Sequence, residues 1–431
     1  MDDDKLLLTI PKDLLMIITS YDHQILFSLR ETFLMNFDWF ALIKYNFSLT
    51  YSKESTTNND IMRTYIWNCI KNYLNCQINV SENNIYIKNK TGKIMNCGRN
   101  DYNQLGTVLS KQKKRPYFVP IKLPFPETEQ KNIVQIICTK WSTILRSNNG
   151  ILLNIGYNLF GLKIQQFEKI KKDNILQVVC GNDHIIILLT DGRLMAFGQN
   201  SDGALGCGVT LYIIEFTEID NVPKNIDEIV CSNTHTIIRL TDGSLMSTGM
   251  NSFGQLGHND KASRYKFEEI KNIPKNIVQV ACGQYHTIIR LTDGTLMGCG
   301  DNSSGQLGLN NTEMALKKFT EIKNVPKNIV EVVCGYAHTV IRLTDGTLMS
   351  CGLNGKGELG HGDDKSRNIF TIIKNAPKNI IQLICRGQYT LIRLTDDTIM
   401  CCGDNENGQF GNGSYKDENK FTKVFNLNKL V

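Results

Sequence analysis

The chain has 431 residues, enough for one large domain and one small one, with a formal net charge of +6. Residues 1–75 carry 7 basic and 9 acidic side chains, so the remainder holds +8, well short of a nucleic-acid-binding stripe. No apolar run is long enough to cross a bilayer, and Asp2-Asp3-Asp4 stands where a secretion signal would be positive, so an intracellular protein of the cytoplasm or nucleus, not secreted, is expected.

Residues 1–75 read as a helical domain. Pro11 suits a helix start, and Leu14, Leu15, Ile18 and Tyr21 follow at helical spacing. Leu26, Leu29 and Phe33 continue the pattern after a break at Asp22-His23. A third helix, capped by Asn59 or Asp60, would put Ile61, Tyr65, Ile66, Cys69 and Tyr73 on one face. Proline, paired leucines, isoleucine and then Ser20-Tyr21 resemble an F-box, although the usual leucine after Ser-Tyr is absent and the inter-helix link is short. That resemblance implies that Pro11, Leu14, Leu15, Ile18, Leu26 and Leu29 grip the adaptor subunit of a cullin-type ubiquitin ligase. The alternative is a helical cap that packs on the neighbouring domain.

From residue 76 onward one unit recurs seven times, anchored by a glycine after an apolar strand: Gly98, Gly156, Gly198, Gly249, Gly300, Gly352 and Gly403. An asparagine follows each anchor by two positions, from Asn100 to Asn405, and a Phe-x-x-apolar marker recurs from Phe118 to Phe421. Within a unit, Ile277 to Ala281 reads as a strand, and two more flank Asp293-Gly294, a hairpin turn in which glycine accepts positive φ. Asp396-Asp397 lacks that glycine, so the seventh turn should be strained or loosened. Phe267 to Ile270 supplies a fourth strand, and Pro223, Pro274, Pro326 and Pro377 punctuate the links between units. Units of this size must stack on one another, and seven sets of four antiparallel strands predict an all-β, seven-bladed propeller over residues 76–431. A ring of this kind is expected to close by pairing its last strand with material from the first unit. The second unit is short, with 42 residues from Gly156 to Gly198, and lacks the Gln-Leu-Gly ending.

The run Cys-Gly-x-x-His-Thr, then Leu-Thr-Asp-Gly, then Gly-x-Asn-x-x-Gly-Gln-Leu-Gly resembles the regulator of chromosome condensation repeat. That family implies a seven-bladed propeller. Its founding member is a chromatin-bound exchange factor for the Ran small GTPase, whereas many relatives are interaction platforms, so fold alone does not transfer activity. The exchange factor uses an inserted β-wedge, for which the regular spacing here leaves little room. The resemblances together imply a non-catalytic, monomeric propeller that recruits substrates to a ubiquitin ligase. The alternatives are exchange activity on a Ran-like GTPase and a chromatin or DNA role.

No nucleophile elbow, zinc-protease helix or phosphate loop occurs, and no cofactor or metal is expected. Gly355-Lys-Gly-Glu-Leu-Gly360 spells a dinucleotide fingerprint without a helix to follow. His184, His235, His286 and His338 share one repeat position; they lie on separate units, so they should tie strands by hydrogen bonds and not converge on a metal. His258 and His361 are expected in exposed loops. Arg146, Arg239, Arg290, Arg342 and Arg393 also repeat. Each should pair locally with the turn Asp or Asn three residues on, or else form a basic rim for an acidic partner. The cysteines, fourteen in all, should be reduced thiols, ten of them at two repeat positions suited to a small buried hydrophobe. The basic run Lys111 to Arg115 reads as a solvated loop, with nuclear import or DNA contact as the other reading.

Overall fold

The structure, a computed structural model, describes residues 77–429 apart from positions 90, 107–112, 122, 124–129, 131, 148–151, 158–162 and 168–174. The helical expectation for residues 1–75, with Pro11, Leu14, Leu15, Ile18, Leu26 and Leu29, falls outside the described residues. The described chain is a β-propeller of seven four-stranded antiparallel sheets. Each sheet takes its strands in sequence order: blade one spans 77–120, blade two 133–167, blade three 175–218, blade four 226–269, blade five 277–321, blade six 329–372 and blade seven 380–426. Among the described residues no helix is long and apolar enough to cross a membrane.

Blade five shows why these residues form strands. Its inner strand Ile277–Cys282 and the next, His286–Leu291, are rich in β-branched residues, which fit a pleated, half-buried surface. The second strand is buried on both faces, because each sheet is sandwiched between its neighbours. Ile288, Leu296 and Ile322 of blade five thus share a core with Ile341, Met349 and Phe370 of blade six. The outer strand Leu316–Glu321 buries only Leu316 and Phe319 deeply and turns its charges outward. The turn before the third strand is tied by the Asp293 carboxylate, which accepts from Thr295 N at 2.9 Å and from its hydroxyl at 3.0 Å. In blade seven Asp397 takes the glycine's place at a φ of 64°, the strained backbone expected there. Arg393 Nε, 2.9 Å from its carboxylate, holds it.

Among the described residues the ring does not close by strand sharing. The last strand, Glu418–Asn426, pairs with Thr398–Gly403 of its own blade, because both ends of the ring contribute complete sheets. Closure instead repeats the junction used elsewhere. A loop after the third strand of one blade donates a backbone N–H to the outer strand of the next: Gly208 to Tyr265 O at 2.7 Å, Asn259 to Lys317 O at 2.8 Å, Asn310 to Asn368 O at 2.8 Å and Gly362 to Asn419 O at 2.6 Å. Gly413 N then meets Pro116 O at 2.7 Å, joining blade seven to blade one. Pro116 lacks an N–H, which an outer strand tolerates.

Candidate functional site

The repeated side chains bind the blades to one another. His235 Nε2 lies 2.9 Å from Thr287 Oγ1 of the following blade, and His286 and His338 reach Thr339 and Thr390 at 3.1 Å each. Each threonine in turn donates to a carbonyl of the preceding blade, as Thr287 does to Gln255 O at 2.8 Å. Burial holds all three imidazoles far below their usual pKa, to about 3, and His184 to about 4, so they stay neutral. The anchors Gly198, Gly249, Gly300, Gly352 and Gly403 admit no side chain: a Cβ there would lie 2.3–2.4 Å from the carbonyl oxygen opposite. The cysteine before the anchor is more than a small hydrophobe, since Cys299, Cys351 and Cys402 donate to carbonyls of the preceding blade at 3.4–3.5 Å. All twelve described cysteines are free. Burial raises most of these thiol pKa values, which keeps them unreactive.

The arginines also tie blades together. Arg239 bonds Glu228 of its own inner strand at 3.1 Å and approaches Ile277 O of the next blade at 3.5 Å. Arg290 does the same with Gln279 and Ile329 O, Arg342 with Glu331 and Ile380 O, and Arg146 with Gln135 and Ile175 O. Among the described residues Arg239, Arg290 and Arg342 make no bond to the turn residue three positions on, and the turn after Arg146 lies outside the described residues; Arg393 bonds a turn carboxylate, that of Asp397, four positions on. The half-buried guanidiniums of the other four bridge two inner strands, which leaves little of them to form a basic rim. His258 and His361 are half-buried rather than exposed, with Nε2 2.8 Å from Ser247 Oγ and 2.9 Å from Ser350 Oγ.

Glu358 departs from the repeat. It is fully buried where other blades carry Gln255, Gln306 and Gln409. One carboxylate oxygen accepts from Lys356 N at 2.8 Å, and the other has no partner among the described residues. Burial pushes its pKa up to about 7 from 4.5. The folded chain therefore keeps a proton that the unfolded chain releases, and stability falls as pH rises from 4.5 through 7. Glu358→Gln should gain up to about 3 kcal/mol over the parent at pH 8 and almost nothing at pH 5, read from denaturant unfolding at the two pH values.

What remains for recognition is one end of the axis. Each inner strand turns into the second strand through a tight loop, closed in blade five by Gly283 N to His286 O at 2.8 Å and matched at Ser81, Thr139, Gly181, Ser232 and Gly335. The pair of residues at the tip is a different one in each blade: Glu82-Asn83, Lys140-Trp141, Asn182-Asp183, Asn233-Thr234, Gln284-Tyr285, Tyr336-Ala337 and Gly387-Gln388. The tips are stitched side by side, with Gln284 N to Tyr336 O at 3.1 Å and Tyr336 N to Gly387 O at 2.7 Å. Glu82 reaches over from blade one to accept from the side chains of Asn182 at 2.9 Å and Asn233 at 2.7 Å. The axial cavity that Glu82, Asn233, Gln284, Tyr336 and Arg386 help to line holds about 20 Å³, room for one water and far below the roughly 300 Å³ of a small-molecule site.

Aromatic side chains crowd the same end. Tyr285 packs between Phe253 at 5.1 Å and Tyr336 at 6.4 Å, and Trp141 meets Tyr102 edge-on at 4.4 Å with Lys140 Nζ 4.8 Å over its ring. Tyr336 is 37% exposed, and burial of the rest of its ring raises its pKa. Rigid, amphipathic rings among polar turn residues make a surface suited to another macromolecule. Nearby, Asp404, Glu406 and Asp417 lie together, but Lys356 Nζ pairs with Glu406 and, at 3.2 Å, with Asp417. The sequence carried a signal for this surface: the tip pairs vary between copies that keep one strand and glycine pattern.

Residues 162–431 match the family model described as RCC1-like domain, and residues 91–145 match the regulator of chromosome condensation (RCC1) repeat. The probable E3 ubiquitin-protein ligase HERC6 of Homo sapiens is 30% identical over 215 residues, which are 46% of this chain and 20% of that protein. The X-linked retinitis pigmentosa GTPase regulator homolog of Caenorhabditis elegans is 28% identical over 163 residues, 37% of this chain and 12% of that one. The chain thus spans about a fifth or less of the length of these relatives. Among solved structures, Prp20p from Saccharomyces cerevisiae superposes with a TM-score of 0.66 at 23% identity, covering 73% of this chain and 81% of its own. Human WBSCR16 does so with a TM-score of 0.63 at 17% identity, covering 73% and 86%. These two likenesses show the fold.

Proposed function

Because this chain belongs to the RCC1-like domain family, we propose that its ring is a protein-binding platform and that the whole chain recruits substrates to a cullin-type ubiquitin ligase. The observation that carries the platform is the contrast at the axial end. Glycines, threonines and histidines that join the blades recur, whereas the loop tips change in all seven. Tyr285, Tyr336 and Trp141 would anchor the target there. The adaptor half of the reading rests on the F-box resemblance of Pro11, Leu14, Leu15, Ile18, Leu26 and Leu29, and on the HERC relatives, ubiquitin ligases that match this ring over 20% or less of their length. The protein itself then needs no catalytic residue, only two surfaces.

The purified chain should co-elute with a recombinant cullin adaptor subunit. Leu14→Asp with Ile18→Asp should weaken that binding by roughly a hundredfold or more, as loss of two apolar anchors predicts. Tyr285→Ala with Tyr336→Ala should leave it unchanged. If the unaltered chain fails to co-elute, the adaptor reading falls and the platform remains. Accelerated nucleotide release from a Ran-like GTPase by the same protein would favour exchange activity instead.

A further inference from the structure

At five junctions a loop from one blade lies along the outer strand of the next, bonded to it through the backbone as described above. Three of these loops form β-bridges: Leu309 with Ile369, His361 with Lys420, and Asn412 with Tyr117. Chain length permits this, since the glycine five residues past the anchor is well separated from the strand that follows, as Gly254 is from Arg264–Glu269. Blade two is built differently. Only Leu162 separates Gly161 from the outer strand Lys163–Phe167, so the chain has no residues from which to make the loop.

The strand that should receive that loop is the outer strand of blade three, Tyr212–Glu218. Here apolar side chains face water: Tyr212 is 50% exposed and Ile214 64%, and Leu211, one residue before the strand, is 62% exposed. Ile214 holds the position of Tyr265, Lys317, Asn368 and Asn419, whose carbonyls accept the loop's N–H in the following blades. Beside it, Glu215 and Asp220 are exposed and make no ion pair among the described residues. At Ile214 an outer edge that is elsewhere covered by extended chain is exposed, apolar and bordered by acidic residues.

We propose that the outer strand of blade three is a docking edge for an extended segment of another protein, apolar at alternate positions and flanked by lysine or arginine. Such a segment would add a fifth strand by the backbone pairing that the loops supply at other blades, its alternate side chains meeting Tyr212 and Ile214 on one face and its end meeting Leu211. Its basic flanks would meet Glu215 and Asp220, as charge complementarity requires. This surface lies on the circumference, apart from the axial end.

Random dodecapeptides displayed on phage and selected on the full chain would test it. Enriched peptides should alternate apolar residues beside Lys or Arg. Leu211→Asp with Ile214→Asp should weaken a synthetic copy by about tenfold or more, and methylating its alternate backbone nitrogens should do the same. Glu215→Lys, which leaves the apolar residues in place, should also weaken it several-fold. Lys317→Asp, at a strand already covered, should not. Peptides indifferent to the double variant, or acidic ones, would overturn the proposal. A dimer of the peptide-free protein that the double variant abolishes would also overturn it, assigning the edge to a second copy of this chain.

Discussion

Between pH 6.5 and pH 4 the propeller is expected to lose stability steeply. His235, His286 and His338 are held down to about 3 and His184 to about 4, chiefly by burial, whereas in the unfolded chain each titrates near 6.5. The folded values are depressed, so the unfolded state binds more protons throughout this window and stability falls as pH falls. Each imidazole contributes about 2 kcal/mol of loss by pH 5, so four give about 8 kcal/mol, comparable with the whole stability of an ordinary domain. Below about pH 4 the lowered carboxylates, such as Asp260 and Asp363 at about 2, add to the loss, while Glu358 works in the opposite sense between pH 7 and 4.5 and offsets about one imidazole's share. Urea unfolding at pH 7, 6 and 5 measures the slope. His286→Gln, which can still bond Thr339, should reduce it by about one proton's share. Stability that stays level from pH 7 to pH 5 would mean the imidazoles carry charge inside the fold.

The second large effect is steric. Gly294 sits at φ +80°, and a Cβ on it would lie 1.7 Å from Lys327 O in the link to blade six. Gly294→Ala must therefore push two blades apart and should cost more than about 3 kcal/mol, the range of severe core substitutions. Comparison variants separate the causes. At Gly362, φ is +85° with nothing within 4 Å, so Gly362→Ala should cost only the backbone term, about 1 kcal/mol. Gly355, with open space and no positive φ, should accept alanine without measurable loss. Asp397 makes the same point in the native chain, for it adopts φ 64° with a full side chain held by Arg393. Backbone strain is affordable at this turn; collision with the next blade is not. Thermal melts of the three variants should rank in that order.

The blade count and strand order were legible because glycine, asparagine and phenylalanine recur in fixed register, and each position does a backbone job that few residues can do. Contacts between blades were harder to read. Thr287 looks like any β-branched strand residue, yet it bonds both His286's counterpart, His235, and Gln255 O. Sequence spacing sets Arg290 against the nearest carboxylate, Asp293; in the fold it reaches across the sheet to Gln279 and over the junction to Ile329 O. Leu256-Gly257 before it suggests an exposed loop for His258, and Ser247, eleven residues back, draws it inward. A linear pattern reports what a residue does within its own unit. It does not report what the neighbouring unit places beside it. Of the candidate surface, the variable tips were visible in the sequence, but their gathering round Glu82 depended on curvature that no single repeat encodes.

The seam between blades seven and one repeats two contacts found at other boundaries, Cys97 Sγ to Gln409 O at 3.0 Å and Gly413 N to Pro116 O at 2.7 Å, and replaces a third: Tyr389 OH bonds Ser81 O at 2.7 Å, since Ile85 stands where blades five, six and seven offer a threonine to a histidine. Topologically the ring is thus a string of beads fastened into a bracelet by a clasp built much like its links. Tension applied between residues 77 and 429 would meet no interlocked strand among the described residues, and the bracelet should open at its clasp by peeling, one small contact after another.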